Sequence, residues 1–292
     1  MSYVLMTAAK NEESYIGAAI NAVVRQTVRP LKWVIVNDGS TDSTEAIVSR
    51  YLAGSRFIDR MKRESSRHGF DQQALALNLA FDSLRDCMFE FVGCLDADIT
   101  FDQNYYEQLI ERFRIDPELG IAGGWIMERD GHDRFVGRTA NRERSVPGAI
   151  QFFRRECFEQ IGGFLPLPHG GLDTHAEFAA RKSGWKVRSF CGIPAYHNRP
   201  SGSVGVSRAK SLIRQGKREF SVGYHPLYTL AKALRRIGDR PFVIGSFCVL
   251  LGFVKAALTE RRRVVPQEFV AYVRQQQLQH FRSVSDRFLR YP

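Results

Sequence analysis

Cysteine is scarce in this 292-residue chain, and its placement excludes more than its number does. Cys87, Cys94, Cys157, Cys191 and Cys248 are odd in count, widely separated and free of any C-x-x-C pair. Neither a disulfide framework nor a zinc knuckle is expected, and reduced thiols are the default. No G-x-G-x-x-G follows the first strand-like segment, which removes the dinucleotide-binding dehydrogenases. There is no internal repeat and no low-complexity stretch. A basic leader is also missing, and the apolar opening is broken by Lys10, Asn11, Glu12 and Glu13, so no secretory signal is expected. With 44% hydrophobic and 25% charged residues, the collagenous and wholly disordered classes are excluded. The length allows one large domain with an appendage or two modest ones.

Charge is present in excess but is unevenly placed. Residues 1–198 carry 24 basic and 26 acidic side chains, a net of −2, whereas residues 199–292 carry 18 basic and 5 acidic, a net of +13. A tail of that kind is expected to meet an anionic surface. Within it, Phe242 to Val254 (FVIGSFCVLLGFV) is apolar on every side and runs on to Leu258. Thirteen such residues cover about 20 Å of helix, short of a hydrocarbon core of about 30 Å. Arg235, Arg236 and Arg240 precede it and Arg261, Arg262 and Arg263 follow, so both ends are expected on the cytoplasmic side. The segment therefore reads either as an interfacial helix or as one buried against the rest of the protein. The expected location is accordingly cytoplasmic, peripheral on the inner face of the cell membrane.

Through the first 130 residues short apolar runs alternate with helical patterns, which is the signature of βαβ units and a mostly parallel sheet. Strands are expected at 3–8, 33–36 and 89–95, with helices at 13–25, 41–52, 70–84 and 103–113. Ser40 or Thr41 is the expected N-cap of the second helix. After residue 118 come shorter strands at 120–127, 135–137 and 149–153, a helix closed by Gly162-Gly163, and a helix over 174–183. From Ser203 helical patterns dominate. The organisation is a body over 1–200 and a basic helical extension over 201–292.

Four stretches carry chemistry-bearing residues. In Cys94-Leu95-Asp96-Ala97-Asp98 a hydrophobic strand ends in carboxylates at i and i+2, which an extended chain points to one face. Such a pair calls for a cation, and hard oxygen ligands suit Mg²⁺ or Mn²⁺. Val36-Asn37-Asp38-Gly39-Ser40-Thr41 ends a second strand at a helix start, where Asp38 can accept N–H groups and the helix can offer donors to phosphate. Thr7-Ala8-Ala9-Lys10-Asn11-Glu12-Glu13 ends the first strand with small residues that leave room for a planar ligand. Gly171-Leu172-Asp173-Thr174 places a carboxylate at another helix start.

TAAKNEE, VIVNDGSTDST, Asp96-Ala97-Asp98 and GGFLPLPHGGLDTHAE followed by AYHNRP, in that order, resemble the family 2 glycosyltransferases over residues 1–200. The resemblance implies a GT-A fold, a Rossmann-like α/β sheet flanked by helices. It also implies a nucleotide-diphospho-sugar donor, a divalent metal and inversion at the anomeric carbon. Carried over residue by residue, Thr7, Ala9, Glu12 and Asp38 would line the nucleoside pocket, and Asp96 would face the ribose or donor sugar. Asp98 would be the direct metal ligand, with His197 completing the metal or diphosphate site. The stretch containing Gly69 and Asn78 would border the diphosphate; Leu77 stands where the family often has Arg, so Arg67 or His68 would have to substitute. Asp173 would be the general base, with Leu172 replacing the Glu of the family's Glu-Asp pair and Glu177 as the fallback.

The Gln-x-x-Arg-Trp element of the processive synthases is absent, so transfer of one or a few sugars to a glycan or lipid-linked acceptor is expected. The basic extension is expected to meet that acceptor's phosphate or an anionic membrane surface. A sugar-nucleotide nucleotidyltransferase is the enzyme alternative, but it would need a Gly-rich loop after the first strand. A nucleic-acid-binding protein is the non-enzyme alternative, but it would interleave aromatic and basic residues, and here the aromatics of the tail sit within apolar helical patterns. No nucleic-acid partner is expected.

Overall fold

A computed structural model describes residues 1–64, 69–130, 132–199, 208–235, 242–260 and 262–290. The expectations placed on Arg67, His68, Pro200 to Ser203, Arg236, Arg240 and Arg261 fall outside these residues. Two compact units result, one comprising Met1–Pro166 with Leu172–Ser203 and the other Leu167–Gly171 with Val204–Pro292.

In the first unit the chain forms nine strands: β1 (Tyr3–Ala9), β2 (Lys32–Asn37), β3 (Ile58–Lys62), β4 (Phe91–Cys94), β5 (Ile99–Phe101), β6 (Leu119–Arg129), β7 (Phe135–Gly137), β8 (Phe152–Arg154) and β9 (Lys186–His197). They make a single sheet in the order β3-β2-β1-β4-β8-β6-β9-β5, with β7 paired to β6. β1 to β4 are parallel, and β8 enters antiparallel between β4 and β6. The helices are α1 (Ile16–Val24), α2 (Thr44–Leu52), α3 (Asp71–Asp82), α4 (Tyr105–Ile115), α5 (Arg155–Gln160) and α6 (Leu172–Lys182). Because α1 to α3 carry the chain back between parallel strands, β1, β2 and β4 all release it at the same edge of the sheet, where α/β folds bind ligands.

Apart from Ala8 and Lys32, every residue of β1 and β2 is buried, as in strands covered on both faces. An aromatic layer closes one side. Tyr3 stacks on Tyr106 at 4.7 Å between ring centres and meets Phe152 edge-on at 5.6 Å, while Phe91 and Phe113 lie 4.8 Å apart. Offset and edge contacts of this kind add about 0.5–1.5 kcal/mol each to the burial itself.

Two expected helix starts move inward. α1 begins at Ile16 and α2 at Thr44, because residues 10–13 and 40–43 are drawn into hydrogen bonds with each other instead of a first helical turn. Neither Ser40 nor Thr41 is the N-cap of α2, which falls at Ser43 without a side-chain capping bond; Asp42 Oδ1, just before it, accepts from the backbone and hydroxyl of Thr44 at 3.0 and 2.6 Å. The twelve-residue β9 and the short β5 were not expected. β9 contains Gly192 and Pro194, and the ladder with β6 absorbs them through a register irregularity between Gly123 and Trp125.

The second unit contains α7 (Arg208–Val222), α8 (Pro226–Arg235), α9 (Phe242–Thr259) and α10 (Gln267–Arg290). Glycine sets the crossing of α7 and α9: a Cβ on Gly216 would stand 1.9 Å from the Val249 carbonyl oxygen, and one on Gly252 would stand 1.9 Å from that of Ile213. Glu219, nearly buried on α7, accepts from Lys232 at 2.7 Å and Thr229 at 3.2 Å and so ties α8 to it. Among the described residues, no helix is long and apolar enough to cross a membrane.

Candidate active site

The loops after β1 and β2 are laced together. Asn11, in a left-handed conformation at φ 56°, accepts from the Thr41 amide at 2.8 Å, and its own amide donates to Ser40 Oγ at 3.0 Å. The Glu12 amide donates to Thr44 Oγ1 at 2.7 Å and the Glu13 amide to Asp42 at 3.1 Å, while the Ser43 amide returns to Glu13 at 3.0 Å. Gly39 makes the turn at φ 72°, closed by the Ser40 amide on Asn37 Oδ1 at 2.9 Å. The amides of Ser40, Thr41 and Ser43 thus already have side-chain acceptors, and the expected offer of helix donors to phosphate at α2 is not made. What the lacing does instead is hold Glu12 at the mouth of the sheet.

Around Glu12 the structure gathers four more ionisable groups. β4 ends at Cys94, so Asp96-Ala97-Asp98 lies on the turn into β5 and not on an extended strand. β5 pairs antiparallel with the end of β9, setting Ile99 opposite His197, and the Asn198 amide donates to the Asp98 carbonyl at 2.9 Å. That pairing brings His197 Nε2 to 3.3 Å and Arg199 Nε to 2.8 Å from Asp98 Oδ2. The same guanidinium bonds Glu12 and lies 5.0 Å over the Tyr15 ring. Asp96 accepts from Gln73 of α3 at 3.1 Å.

The electrostatics follow from this crowding. Burial, with Asp98 adding its charge against the opposing pull of Arg199, raises the Glu12 carboxyl to about 7. Burial and the charges of Asp98, Glu12 and Asp173 raise Asp96 to about 7 as well, with His197 opposing. Asp98 moves the other way: against the cost of its burial, hydrogen bonds from His197 and Arg199 hold it below the ordinary carboxylate value. The bond to Asp98 raises His197 in turn. Within one cluster of three acids, burial thus raises Glu12 and Asp96 while the bonds from His197 and Arg199 lower Asp98.

Asp173 stands at the first turn of α6, half-buried, with Oδ1 accepting from the Thr174 amide at 2.7 Å. Its Cβ is 3.0 Å from where a Cβ on Gly148 would be, so the glycine is what lets α6 approach the turn at 148–150. That turn is bonded to the Asp96 amide through the Ala149 carbonyl at 3.0 Å, which is how Asp173 comes within electrostatic range of Asp96. Glu177, the expected fallback, is spoken for: Oε1 accepts from Ser145 at 2.8 Å and the Val146 amide at 2.6 Å, and Oε2 pairs with Arg181 at 3.2 Å. Nearly fully buried, it braces α6 from within.

Other expected contacts are corrected. Thr7 and Ala9 have no exposed surface; the Thr7 hydroxyl donates to the Leu95 carbonyl at 2.7 Å and accepts from Trp33 at 3.0 Å, so it joins β1 to β2 and β4 instead of lining a pocket. Asn78 spends both ends of its amide on the backbone of Phe164, at 2.7 and 2.9 Å, and acts as a brace. Asp38 sits at the end of β2, beside β1, with its amide on the Ala9 carbonyl at 2.9 Å and its Oδ1 on Arg63 at 2.8 Å. Gly69 is exposed just before α3. Sequence reasoning missed Arg199 and Gln73. Arg199 lies just past the end of β9, where strand alternation does not single it out, and nothing in the helical pattern of 71–82 singles out Gln73.

Whether the donor set suits a divalent ion turns on Asp98. Its Oδ1 is buried and has no hydrogen-bond partner, an arrangement costly for a carboxylate unless something positive completes it. His197 Nε2 lies 3.3 Å from the other oxygen, Oδ2. Among the described residues, no group of three or more His, Cys, Asp or Glu side chains already stands assembled for a metal. The free Asp98 oxygen is what the protein would offer such an ion.

A mixed α/β sheet releasing Glu12, Asp38 and Asp96 at one edge is the GT-A architecture, and solved structures of that class share it. A mannosyltransferase from Pyrobaculum calidifontis, in complex with GDP-Man and Mn²⁺, aligns at a TM-score of 0.57 and 18% identity over 92% of this chain and 77% of its own. TarS 1-349 of S. aureus, in complex with UDP-GlcNAc, aligns at 0.54 and 15% over 95% of this chain and 83% of its own. In sequence, the poly-β-1,6-N-acetyl-D-glucosamine synthase of Staphylococcus aureus is 29% identical over 119 residues, 41% of this chain but 27% of the synthase. The profile of glycosyl transferase family 2 matches residues 5–183, and the chain belongs to that family.

Proposed function

We propose that this protein is an inverting glycosyltransferase that moves a sugar from a nucleotide-diphospho-sugar to a hydroxyl of a glycan or lipid-linked acceptor, in the synthesis of cell-surface polysaccharide or glycoconjugate. One observation carries the reading: Glu12, Asp96, Asp98, His197 and Arg199 converge at the end of the sheet around a buried carboxylate oxygen with no partner. Family membership and neighbours bound to GDP-Man with Mn²⁺ and to UDP-GlcNAc support it.

In this reading Asp98 and His197 hold a divalent cation, which when bound neutralises charge on the departing nucleoside diphosphate. Asp96 accepts from the donor's ribose or sugar, its orientation set by Gln73. Asp38, fixed by Arg63, accepts from the base or ribose. Asp173 takes the proton from the acceptor hydroxyl as that oxygen attacks the anomeric carbon; Thr174 fixes the carboxylate's rotation by occupying Oδ1. One base suffices because inversion forms no covalent intermediate. Tyr15 and Glu12 position Arg199 beside the same carboxylate. The basic second unit meets an anionic membrane surface on the cytoplasmic side, where a lipid-linked acceptor would lie.

The test is thermal stabilisation by a panel of nucleotide-diphospho-sugars with and without Mn²⁺, since a ligand that binds only the folded state raises its stability by mass action. Protection by one nucleoside series, dependent on Mn²⁺, is the expected result. Protection by nucleoside triphosphates with a sugar phosphate, or by none of the panel, overturns the reading.

A further inference from the structure

Among the described residues, one side of α9 in the second unit is exposed. On α9, Cys248, Val249, Phe253 and Ala256 are buried, and Ser246 bonds the Ala233 carbonyl of α8 at 2.6 Å. The opposite side is a stripe of Ile244, Phe247, Leu251, Val254 and Leu258, each between 45% and 81% exposed. Their spacing of three, four, three and four residues keeps them in one line along the helix. Leu230 and Leu234 of α8 are exposed as well. The sequence left open whether this segment is buried or faces lipid; one side of the helix is buried in protein and the other is exposed.

Just beyond the end of α9 lies a cavity of about 840 Å³ lined by Arg262, Arg263 and Arg274 together with Val264, Val265 and the start of α10. Arg263 is fixed there, its Nε donating to the Phe220 carbonyl at 3.0 Å and its guanidinium 4.0 Å over the Phe220 ring. Burial and the facing charge of Arg274 push Arg263 below its ordinary value, with Glu260 opposing. Arg274 Nε is buried and has no hydrogen-bond partner. Two like charges held close, one with a donor unspent, form a place where an anion removes both penalties at once.

We propose that this face is a docking surface for anionic phospholipid: the α9 stripe enters the boundary between headgroups and acyl chains, and the arginine-lined cavity at its end receives a headgroup phosphate. A helix so placed lies in the membrane plane with its apolar side about 5–10 Å deep. A second copy of this chain is the wrong occupant, because residues 199–292 carry a net +13 and would face the same charge. A nucleic acid would satisfy the arginines but leave the stripe in water. The proposal rests on the membrane-facing part of the reading above and is independent of the sugar-transfer chemistry.

The experiment is co-sedimentation of the full chain with vesicles of phosphatidylcholine alone or with phosphatidylglycerol, beside the variants Phe247→Asp, Leu251→Asp, Arg262→Gln and Arg274→Gln. Circular dichroism confirms that each variant melts as the parent does, and Phe247→Trp gives a reporter that keeps the surface apolar. Binding to phosphatidylglycerol vesicles is expected. Each arginine substitution should weaken it about fivefold, each aspartate by at least about tenfold, and the indole emission of the reporter variant should shift blue with vesicles. Binding that all four substitutions leave unchanged overturns this surface while membrane association stands; no binding to any vesicle overturns both. Equal binding to phosphatidylcholine, thermal protection by inorganic phosphate alone, tighter binding of an oligonucleotide, or a dimer abolished by Phe247→Asp would each also overturn the assignment.

Discussion

Arg199 donates from Nε to Asp98 Oδ2 at 2.8 Å, although 101 residues separate the two in sequence, and its other nitrogen reaches Glu12. A side-chain cation thus stands between two acids from different strand ends, at the point where a divalent ion is proposed to bind. Replacing Arg199 by Gln leaves both carboxylates without their strongest partner, and breaking partly buried pairs of this kind costs about 1–3 kcal/mol. The variant should melt a few degrees lower than the parent without metal, and Mn²⁺ should recover most of the loss. A melt insensitive to the substitution, or one Mn²⁺ does not restore, would show that the arginine does not share a site with the cation.

Asp98 and Asp96 are predicted to separate in their effects. Asp98→Asn removes the charge beside the buried, unpartnered oxygen, and Mn²⁺ affinity followed by electron paramagnetic resonance should fall by more than about tenfold. Asp96→Asn keeps an acceptor for Gln73 and should lose donor affinity while retaining most of the Mn²⁺ affinity of the parent. Equal loss of metal from both variants would assign the ion to the pair.

What could be read from the chain in advance follows its physics. β1, β2 and the place of Asp96 and Asp98 just past β4 were visible because buried parallel strands are continuous apolar runs; the turn that carries the two acids was not, because an extended chain was expected there. The inward fate of Thr7 and Asn78 was not visible, because the same polar residue serves a pocket or a brace depending on partners far away: Trp33 and Leu95 for one, Phe164 for the other. β9 was hidden by Gly192 and Pro194, which weaken a strand pattern unless a neighbour can shift register around them. Arg199 was hidden because it lies past the end of β9, and only the pairing of β5 with β9 brings it to Asp98.

Asp173 and Glu177 lie four residues apart on α6, and the proposed mechanism gives them different duties. Asp173→Asn should lower kcat by about 10²- to 10⁴-fold with donor affinity held near the parent's, as loss of a general base does. Glu177→Gln, whose amide oxygen can still accept from Ser145 and Val146, should leave kcat within about threefold, which is under 1 kcal/mol in the barrier. Reversal of that order, measured under saturating donor, would move the base one turn along the helix.

The same helix carries a stability signature with a definite sign. Burial raises Glu177 to about 7 and lowers His175 to about 4. Between the unfolded carboxylate value and about 7 the native state binds the Glu177 proton more tightly than the unfolded chain, so this group makes stability fall as pH rises. Between about 4 and the unfolded imidazole value the native state excludes the His175 proton, so that group makes stability fall as pH drops. Across their shared window, from the ordinary carboxylate range to the ordinary imidazole range, the two slopes oppose each other, and each is at most about 1.4 kcal/mol per pH unit. Urea titrations across that window should therefore show His175→Gln losing stability with rising pH and Glu177→Gln gaining it, with the parent between the two. Parallel pH profiles for the two variants would mean that neither group titrates with the shift its burial dictates.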